Sequence, residues 1–504
     1  DKLNIARMLD ELGIHFIEGG WPGSNPKDIE FFKKAQGLTL SHSKLVAFGS
    51  TRRPKAEAET DANLMALADA GVKVATIVGK SSDLQVTQVL ETTLEENLSM
   101  IADSIKYLKA KGLTVFFDAE HFFDGFKANP SYSLRVVEVA AQAGADAVVL
   151  CDTNGGTMPN EITAAINAVR KQTIVPLGIH AHNDGELAVA NTLAAVNAGV
   201  TQVQGTINGY GERCGNANLC SIIPDLKLKM GIDCVTDKQL AKLTEVSRYV
   251  SEAANLIPNA FSPYVGSSAF SHKAGLHVSG LTKWADSYQH IDPDRVGNKQ
   301  KVLVSELSGK GNIIYKAKEL GLDLPPKGKE AQKLLQQVKL LESRGFQYDN
   351  AEASFELLAH RAKPGYHPPF ELVDFMVVIE KRRRPPTRKN LEEMLSEAML
   401  KVRVGTELMH TAAEGNGPVN ALDQALRKAL LQFYPELAQI RPVDYKVRIL
   451  KESVGTESQV RVLIESSDGV KEWRTVGSST NIIEASWLAL ADSLEYWLVK
   501  QKAA

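Results

Sequence analysis

Apolar, β-branched runs at 14–18, 44–49, 72–78, 113–118, 145–151, 173–179 and 201–207 alternate with helical patterns, and this alternation constrains the fold more than any other feature of the chain. The helical patterns lie near 1–12, 27–36, 58–71, 91–111, 130–143, 159–171, 185–198 and 216–230. Val/Ile-rich strands of this kind are buried on both faces, which means a parallel sheet covered by helices. Eight helices to seven strands, with a helix first, predict an α/β fold of the TIM (β/α)8 type lacking its first strand. The first helical pattern is already under way at Asp1, so a preceding segment carrying that strand is expected. A doubly wound open sheet would put a G-x-G-x-x-G turn after an early strand, and none stands there.

In a barrel the chemistry sits where the strands end, on the C-terminal face. Polar residues gather at those ends: Glu18-Gly19-Gly20, Ser50-Thr51-Arg52-Arg53, Asp118-Ala119-Glu120-His121, Asp152-Thr153-Asn154-Gly155-Gly156 and the stretch from Asn208 to Asn216. The strongest signal is Gly178-Ile179-His180-Ala181-His182-Asn183-Asp184. Side chains at i and i+2 share one face of a strand, so His180 and His182 project together, ready to hold a divalent cation at about 2.0–2.1 Å each. Two structural histidines are the plainer alternative, and Asp152-Thr153 also suits a helix cap.

Beyond residue 230 the alternation stops. Residues 1–230 are therefore read as the barrel, and 231–365 as a mostly helical linker or lid region. The latter carries Ser271-His272-Lys273-Ala274-Gly275-Leu276-His277, with Tyr288 eleven residues after His277. In 366–504, Val373-Asp374-Phe375-Met376-Val377 is echoed by Val443-Asp444-Tyr445-Lys446-Val447. Each copy leads through further strand-like runs to an amphipathic helix, so an α+β domain of two βββα repeats is expected. The run Lys381-Arg382-Arg383-Arg384 lacks interleaved aromatics and reads as a solvated loop.

Composition sets bounds on partners. The 504 residues are 44% hydrophobic and 23% charged, ordinary for a globular chain too long for one core. A net charge of −2 gives no general pull toward nucleic acid or an anionic membrane. The four cysteines, Cys151, Cys214, Cys220 and Cys234, form no CxxC, which fits a reducing, cytoplasmic compartment. No apolar run approaches the ~20 residues that span a bilayer.

Taken together and in order, His-Ala-His-Asn-Asp at 180–184, Asp-Thr-Asn-Gly-Gly at 152–156, Gly-Tyr-Gly-Glu-Arg-Cys-Gly-Asn-Ala at 209–217 and His-Lys-Ala-Gly-Leu-His at 272–277 resemble the family of 2-isopropylmalate, homocitrate and citramalate synthases. The stretches 17–28 and 117–123 are most similar to its pyruvate-using branch. The resemblance covers nearly the whole chain. It implies an acyltransferase making a Claisen-type condensation of acetyl-CoA with pyruvate, yielding a 2-hydroxy diacid and CoA for isoleucine biosynthesis. It also implies a divalent metal (Mg, Mn or Zn) on His180 and His182, with Asn216 as a ligand or close neighbour. Thr153 would hold the substrate carboxylate, Glu120 would orient or activate the acetyl group, and His277 and Tyr288 would move protons. The 366–504 repeat resembles the family's allosteric domain, with isoleucine as effector and a homodimer as assembly. The family's first strand brings an Asp metal ligand and an Arg, expected upstream of Asp1, so the chain without them is expected to be a poor enzyme, with an inactive truncated form as one alternative. The alternatives are a 2-isopropylmalate synthase acting on 2-oxoisovalerate for leucine biosynthesis, and a metal-dependent aldolase or lyase that would lack the C-terminal repeat.

Overall fold

Each of the seven apolar runs contributes a strand: β1 (Phe16–Gly20), β2 (Lys44–Ser50), β3 (Val74–Lys80), β4 (Thr114–Glu120), β5 (Ala147–Asp152), β6 (Leu177–Ala181) and β7 (Gln202–Gln204). In the computed structural model, which describes residues 1–302, 310–319, 329–348, 351–363, 365–380, 395–450 and 458–503, they form one sheet in the order β1 to β7. Every neighbouring pair is parallel. This is the TIM-barrel sheet that the alternation predicts. Its outer face is sealed by helices: Ala75, Ile77, Val115, Phe117, Val148, Leu150 and Ile179 pack with Leu64, Leu67, Ile101, Ile105, Val136 and Ile166. Two short helices, Asp83–Gln88 and Phe122–Ala128, lie outside the eight that periodicity marks.

Two boundaries differ from expectation for local reasons. β6 begins at Leu177 and not at Thr173, since Pro176 has no N–H to give a ladder and Ile174 lies wholly in water. The helix expected over 216–230 starts at Leu219, and Pro224 lies within it; the chain widens there into a π-helical turn at Asp225–Lys229.

The chain divides into two compact units, Asp1–Phe270 with His290–Gln300, and Ser271–Gln289 with Lys301–Ala504. In the second unit β8 (Ser271–His272) pairs with β9 (Lys301–Val302). Two antiparallel sheets follow, β10 (Glu371–Glu380), β11 (Leu395–Val404), β12 (Glu407–Gly415) and then β13 (Arg441–Ile449), β14 (Val460–Ser467), β15 (Glu472–Ser479). Each ends in a helix, Pro418–Leu430 and Ile482–Ala503. The duplication extends to register, since β10 slips between Leu372 and Asp374 and β13 between Pro442 and Asp444, the matching position. One core joins both repeats, through Leu400, Val402, Leu422 and Leu426 with Val462, Ile464, Trp487 and Leu490. Among the described residues no helix is long and apolar enough to cross a membrane.

Candidate active site

Alternation along the strands decides which side chains meet inside the barrel. In β4, Val115, Phe117 and Ala119 pack outward, whereas Phe116 joins Val46, Val74 and Ala147 in a small interior cluster. Asp118 and Glu120 share the face of Phe116 and so point inward. By the same parity Glu18 of β1, Thr76 and Lys80 of β3, His180 of β6 and Gln204 of β7 turn inward.

His180 and His182 do converge, with their Nε2 atoms 3.4 Å apart. Two imidazole nitrogens about 2.1 Å from one cation, at a tetrahedral angle, are separated by about 3.4 Å. His182 lies just past β6, held by its N–H on the Asp152 carbonyl at 3.1 Å and by a backbone bridge to Asn216. That bridge needs Gly215, which has φ 93° and whose Cβ would run into the Gly209 carbonyl oxygen. Asn216 Oδ1 and His182 Nδ1 are buried with no hydrogen-bond partner. Burial pushes His180 down to about 4, and burial, helped by Arg213, lowers His182 as well. Both are then neutral near pH 7, the form that binds metal. Two neutral imidazoles and an unused amide oxygen fit a divalent cation. Among the described residues no further His, Cys, Asp or Glu completes the set.

The surrounding groups are tied to one another. His180 Nδ1 lies 2.8 Å from Gln204 Oε1, and Gln204 Nε2 donates to Asp118 Oδ1 at 3.0 Å. Burial first, then Glu18 and Glu120, push the Asp118 carboxyl well above the usual range, against the Gln204 hydrogen bond. Crowding by protein also raises Glu18, although its side chain still reaches water along β1. Glu120 is held by Lys80 at 2.5 Å. The Thr153 hydroxyl oxygen accepts the His121 N–H at 2.8 Å, leaving its own proton to donate. Arg213 pairs with Asp184 at 2.8 Å and donates to the Thr153 carbonyl at 2.7 Å, so it ties together the loops after β5, β6 and β7.

Two strand-end residues serve structure instead. Arg52 is buried between Glu96 at 2.7 Å and Asp103 at 2.8 Å, which anchors β2 to the helix Leu94–Ala110. Asp152 accepts the Thr157 hydroxyl at 2.7 Å and fixes the turn ahead of the helix Pro159–Arg170.

Comparison with known proteins agrees with this geometry. The HMGL-like family model matches residues 1–250, the homocitrate synthase post-HMGL domain-like model 264–345 and the LeuA allosteric (dimerisation) domain model 349–498. The (R)-citramalate synthase of Geobacter sulfurreducens is 54% identical over 502 residues, covering 100% of this chain and 94% of that protein. That of Aquifex aeolicus is 52% identical over 505 residues, covering 100% and 94%. The chain belongs to the (R)-citramalate synthase family. A 2-isopropylmalate synthase of Methanocaldococcus jannaschii is more distant, 30% identical over 511 residues with 100% and 91% covered.

The remaining two residues that the family resemblance singled out, His277 and Tyr288, belong to the second compact unit. Their rings stack with centroids 4.1 Å apart and planes 19° apart. Gly280 makes this possible, because a Cβ there would stand 2.6 Å from Tyr288 Cε2. His272 sits edge-on to His277 at 6.0 Å, its Nε2 buried and unpartnered. In the barrel, inspection of strand ends overlooks Lys80 and Gln204. Both are polar residues on the inward parity of apolar strands, and that is the signal that finds them.

Proposed function

We propose that this chain is a divalent-metal-dependent acyltransferase that condenses acetyl-CoA with pyruvate to give (R)-citramalate and CoA. The observation carrying this reading is the 3.4 Å approach of His180 Nε2 to His182 Nε2, with Asn216 bridged to His182 through the backbone, at the strand ends of a barrel from this family. A divalent cation bound there supplies a Lewis acid that polarises the 2-oxo carbonyl. His180, His182 and Asn216 would hold it. The imidazoles favour Zn, and the amide oxygen also suits Mn or Mg. The free Thr153 O–H donates to the pyruvate carboxylate, and Glu120, steadied by Lys80, orients or activates the acetyl group. His277 and Tyr288 take the proton transfers of enolisation and carbonyl protonation. In the balanced reaction the acetyl methyl loses a proton and its carbon bonds to C2 of pyruvate. The former carbonyl oxygen gains a proton, and water cleaves the thioester to release CoA. Acetyl-CoA as co-substrate fits a cytoplasmic setting.

Thiol release from acetyl-CoA tests the substrate. Pyruvate is expected to support it much faster than 2-oxoisovalerate; the reverse preference would move the chain to the reaction named for the 2-isopropylmalate synthases. A lyase or aldolase reading is disfavoured by the LeuA match at 349–498.

The C-terminal repeats are read as a dimerising, effector-binding module, with isoleucine as effector. In support of a homodimer, the end strands of both sheets expose apolar side chains, Val373, Met376 and Ile379 on β10 and Val443, Val447 and Ile449 on β13. For the effector carboxylate the two helix starts are unequal. Asn481 Oδ1 already accepts the Ile483 N–H at 2.8 Å, whereas the helix Pro418–Leu430 has no side-chain cap and leaves its first N–H groups to an anion. Calorimetry on the full chain should show isoleucine binding that Pro418→Glu weakens. Undiminished binding in that variant, or none in the parent protein, would remove this part of the reading.

A further inference from the structure

Gln204 lies on β7 and Asp118 on β4, 86 residues apart and not neighbours in the sheet, so their hydrogen bond crosses the barrel interior. A primary amide has a donor end and an acceptor end. Asp118 Oδ1 accepts from Gln204 Nε2 at 3.0 Å, so the acceptor end, Oε1, is left facing His180 Nδ1 at 2.8 Å. Nδ1 must then carry the single proton of the neutral ring, which bares the lone pair of Nε2 toward His182. With the amide turned over, its NH₂ would donate to Nδ1, the proton would move to Nε2, and that nitrogen could bind nothing.

We propose that Asp118 and Gln204 are positioning residues that hold His180 in its metal-binding tautomer, so that cation affinity is set from two strands away, across the barrel interior. This inference rests on the assignment of His180 and His182 as metal ligands. The link is neutral at its last step. A carboxylate placed directly on the imidazole would make it a stronger donor, whereas the amide fixes orientation and leaves more of the cation's Lewis acidity for the substrate.

The test uses the full chain, Mn²⁺ titrations read by the free-ion EPR signal, and ¹⁵N-histidine spectra of the metal-free protein, which separate Nδ1–H from Nε2–H tautomers. Gln204→Leu should weaken Mn²⁺ binding about 10- to 100-fold and mix the His180 tautomers. Asp118→Asn is isosteric; above the pH at which Asp118 ionises it should also mix them, because there the parent offers Gln204 only acceptors, whereas the introduced amide can turn over together with that of Gln204. The double exchange Asp118→Asn with Gln204→Glu reverses the donor and acceptor between the two positions. It keeps an acceptor on Nδ1, and should restore Nδ1–H and most of the affinity. His180→Ala is the control. If it abolishes binding while Gln204→Leu binds as wild type, the relay is wrong and the metal site stands. If His180→Ala and His182→Ala bind as wild type, the metal assignment has failed, and a pure Nδ1–H signal persisting in Gln204→Leu overturns the relay on its own.

Discussion

At the mouth of the barrel Asn216 Oδ1 and His182 Nδ1 are buried without a hydrogen bond of normal geometry, whereas around the helix Ile482–Ala503 buried charges meet their opposites. There Arg361 reaches Asp492 at 2.8 Å and Glu495 at 2.5 Å. Tyr366 donates to Glu495 at 2.6 Å, and Ser354 donates to Asp492 at 2.8 Å while accepting the Val476 N–H at 3.0 Å. Glu356 pairs with Lys500 at 2.5 Å. An unmet buried polar group costs about 1–3 kcal/mol, and such a cost persists where a ligand removes it. The two regions differ accordingly: incomplete bonding accompanies the proposed metal ligands, and complete bonding fastens the helix Glu352–Arg361 to the second repeat.

The largest way to break this comparison is to empty the mouth. Replacing both His180 and His182 with Ala removes the two proposed ligands of a cation that would be worth several kcal/mol to the transition state. At about 1.4 kcal/mol per tenfold, kcat should fall about a thousandfold or more. The metal-free variant should melt only modestly below the metal-free parent, since the bond lost to the rest of the protein is that to Gln204. Metal analysis beside the melting curve checks both halves. Wild-type metal content in the variant would show that the unmet groups have no ligand to await.

In the second region the expected loss is stability, not turnover. Arg361→Met strands Asp492 and Glu495, both largely buried. Arg361 itself keeps 38% of its side-chain surface in water, so the cost falls at the lower side of a broken buried pair, about 2–3 kcal/mol. Hydrogen exchange along Ile482–Ala503 should speed up accordingly while kcat stays near the parent value. Adding Asp492→Asn and Glu495→Gln removes the stranded charges and should slow exchange again. Fast exchange in all variants alike would mean the network fastens nothing.

The two regions also differ in how far they are legible from sequence. His180 and His182 are legible because i, i+2 spacing is a purely local rule, and the repeat at Val373 and Val443 because identity of pattern needs no geometry. The barrel follows from counting. Gln204 and Lys80 escape a search confined to strand ends, because their parity with Phe116 and His180 decides which way they face. Arg52 looks like a mouth residue for the same reason, and only the helix Leu94–Ala110 shows where its charge goes. The Arg361 network joins residues more than 130 apart, as Ser354 with Asp492, through contacts that no spacing encodes. His277 and Tyr288 are named by family resemblance, and Gly280 is the local reason their rings can stack.

The smallest effect, and the one that sharpens the contrast most, is a difference in sign with pH. Asp118 is raised well above the ordinary aspartate value of 3.8, chiefly by burial. A carboxyl raised on folding contributes stability in full below its unfolded value and loses it as pH climbs through the folded value. Asp118→Asn, which keeps an acceptor for Gln204, should therefore gain on the parent as pH rises above the ordinary aspartate value of 3.8 in metal-free buffer. Glu356 is displaced in the opposite sense: burial opposes ionisation, but His360 and Lys500 outweigh it and hold the carboxyl below the ordinary glutamate value of 4.5. Its contribution is present above the unfolded value and lost as pH falls through the folded one. Glu356→Gln should therefore melt below the parent near neutral pH, and the gap should close in acid. Melting curves of both variants beside the parent decide the matter. If the two difference curves slope the same way, Asp118 and Glu356 are buried on the same terms, and the distinction between these two carboxyls fails.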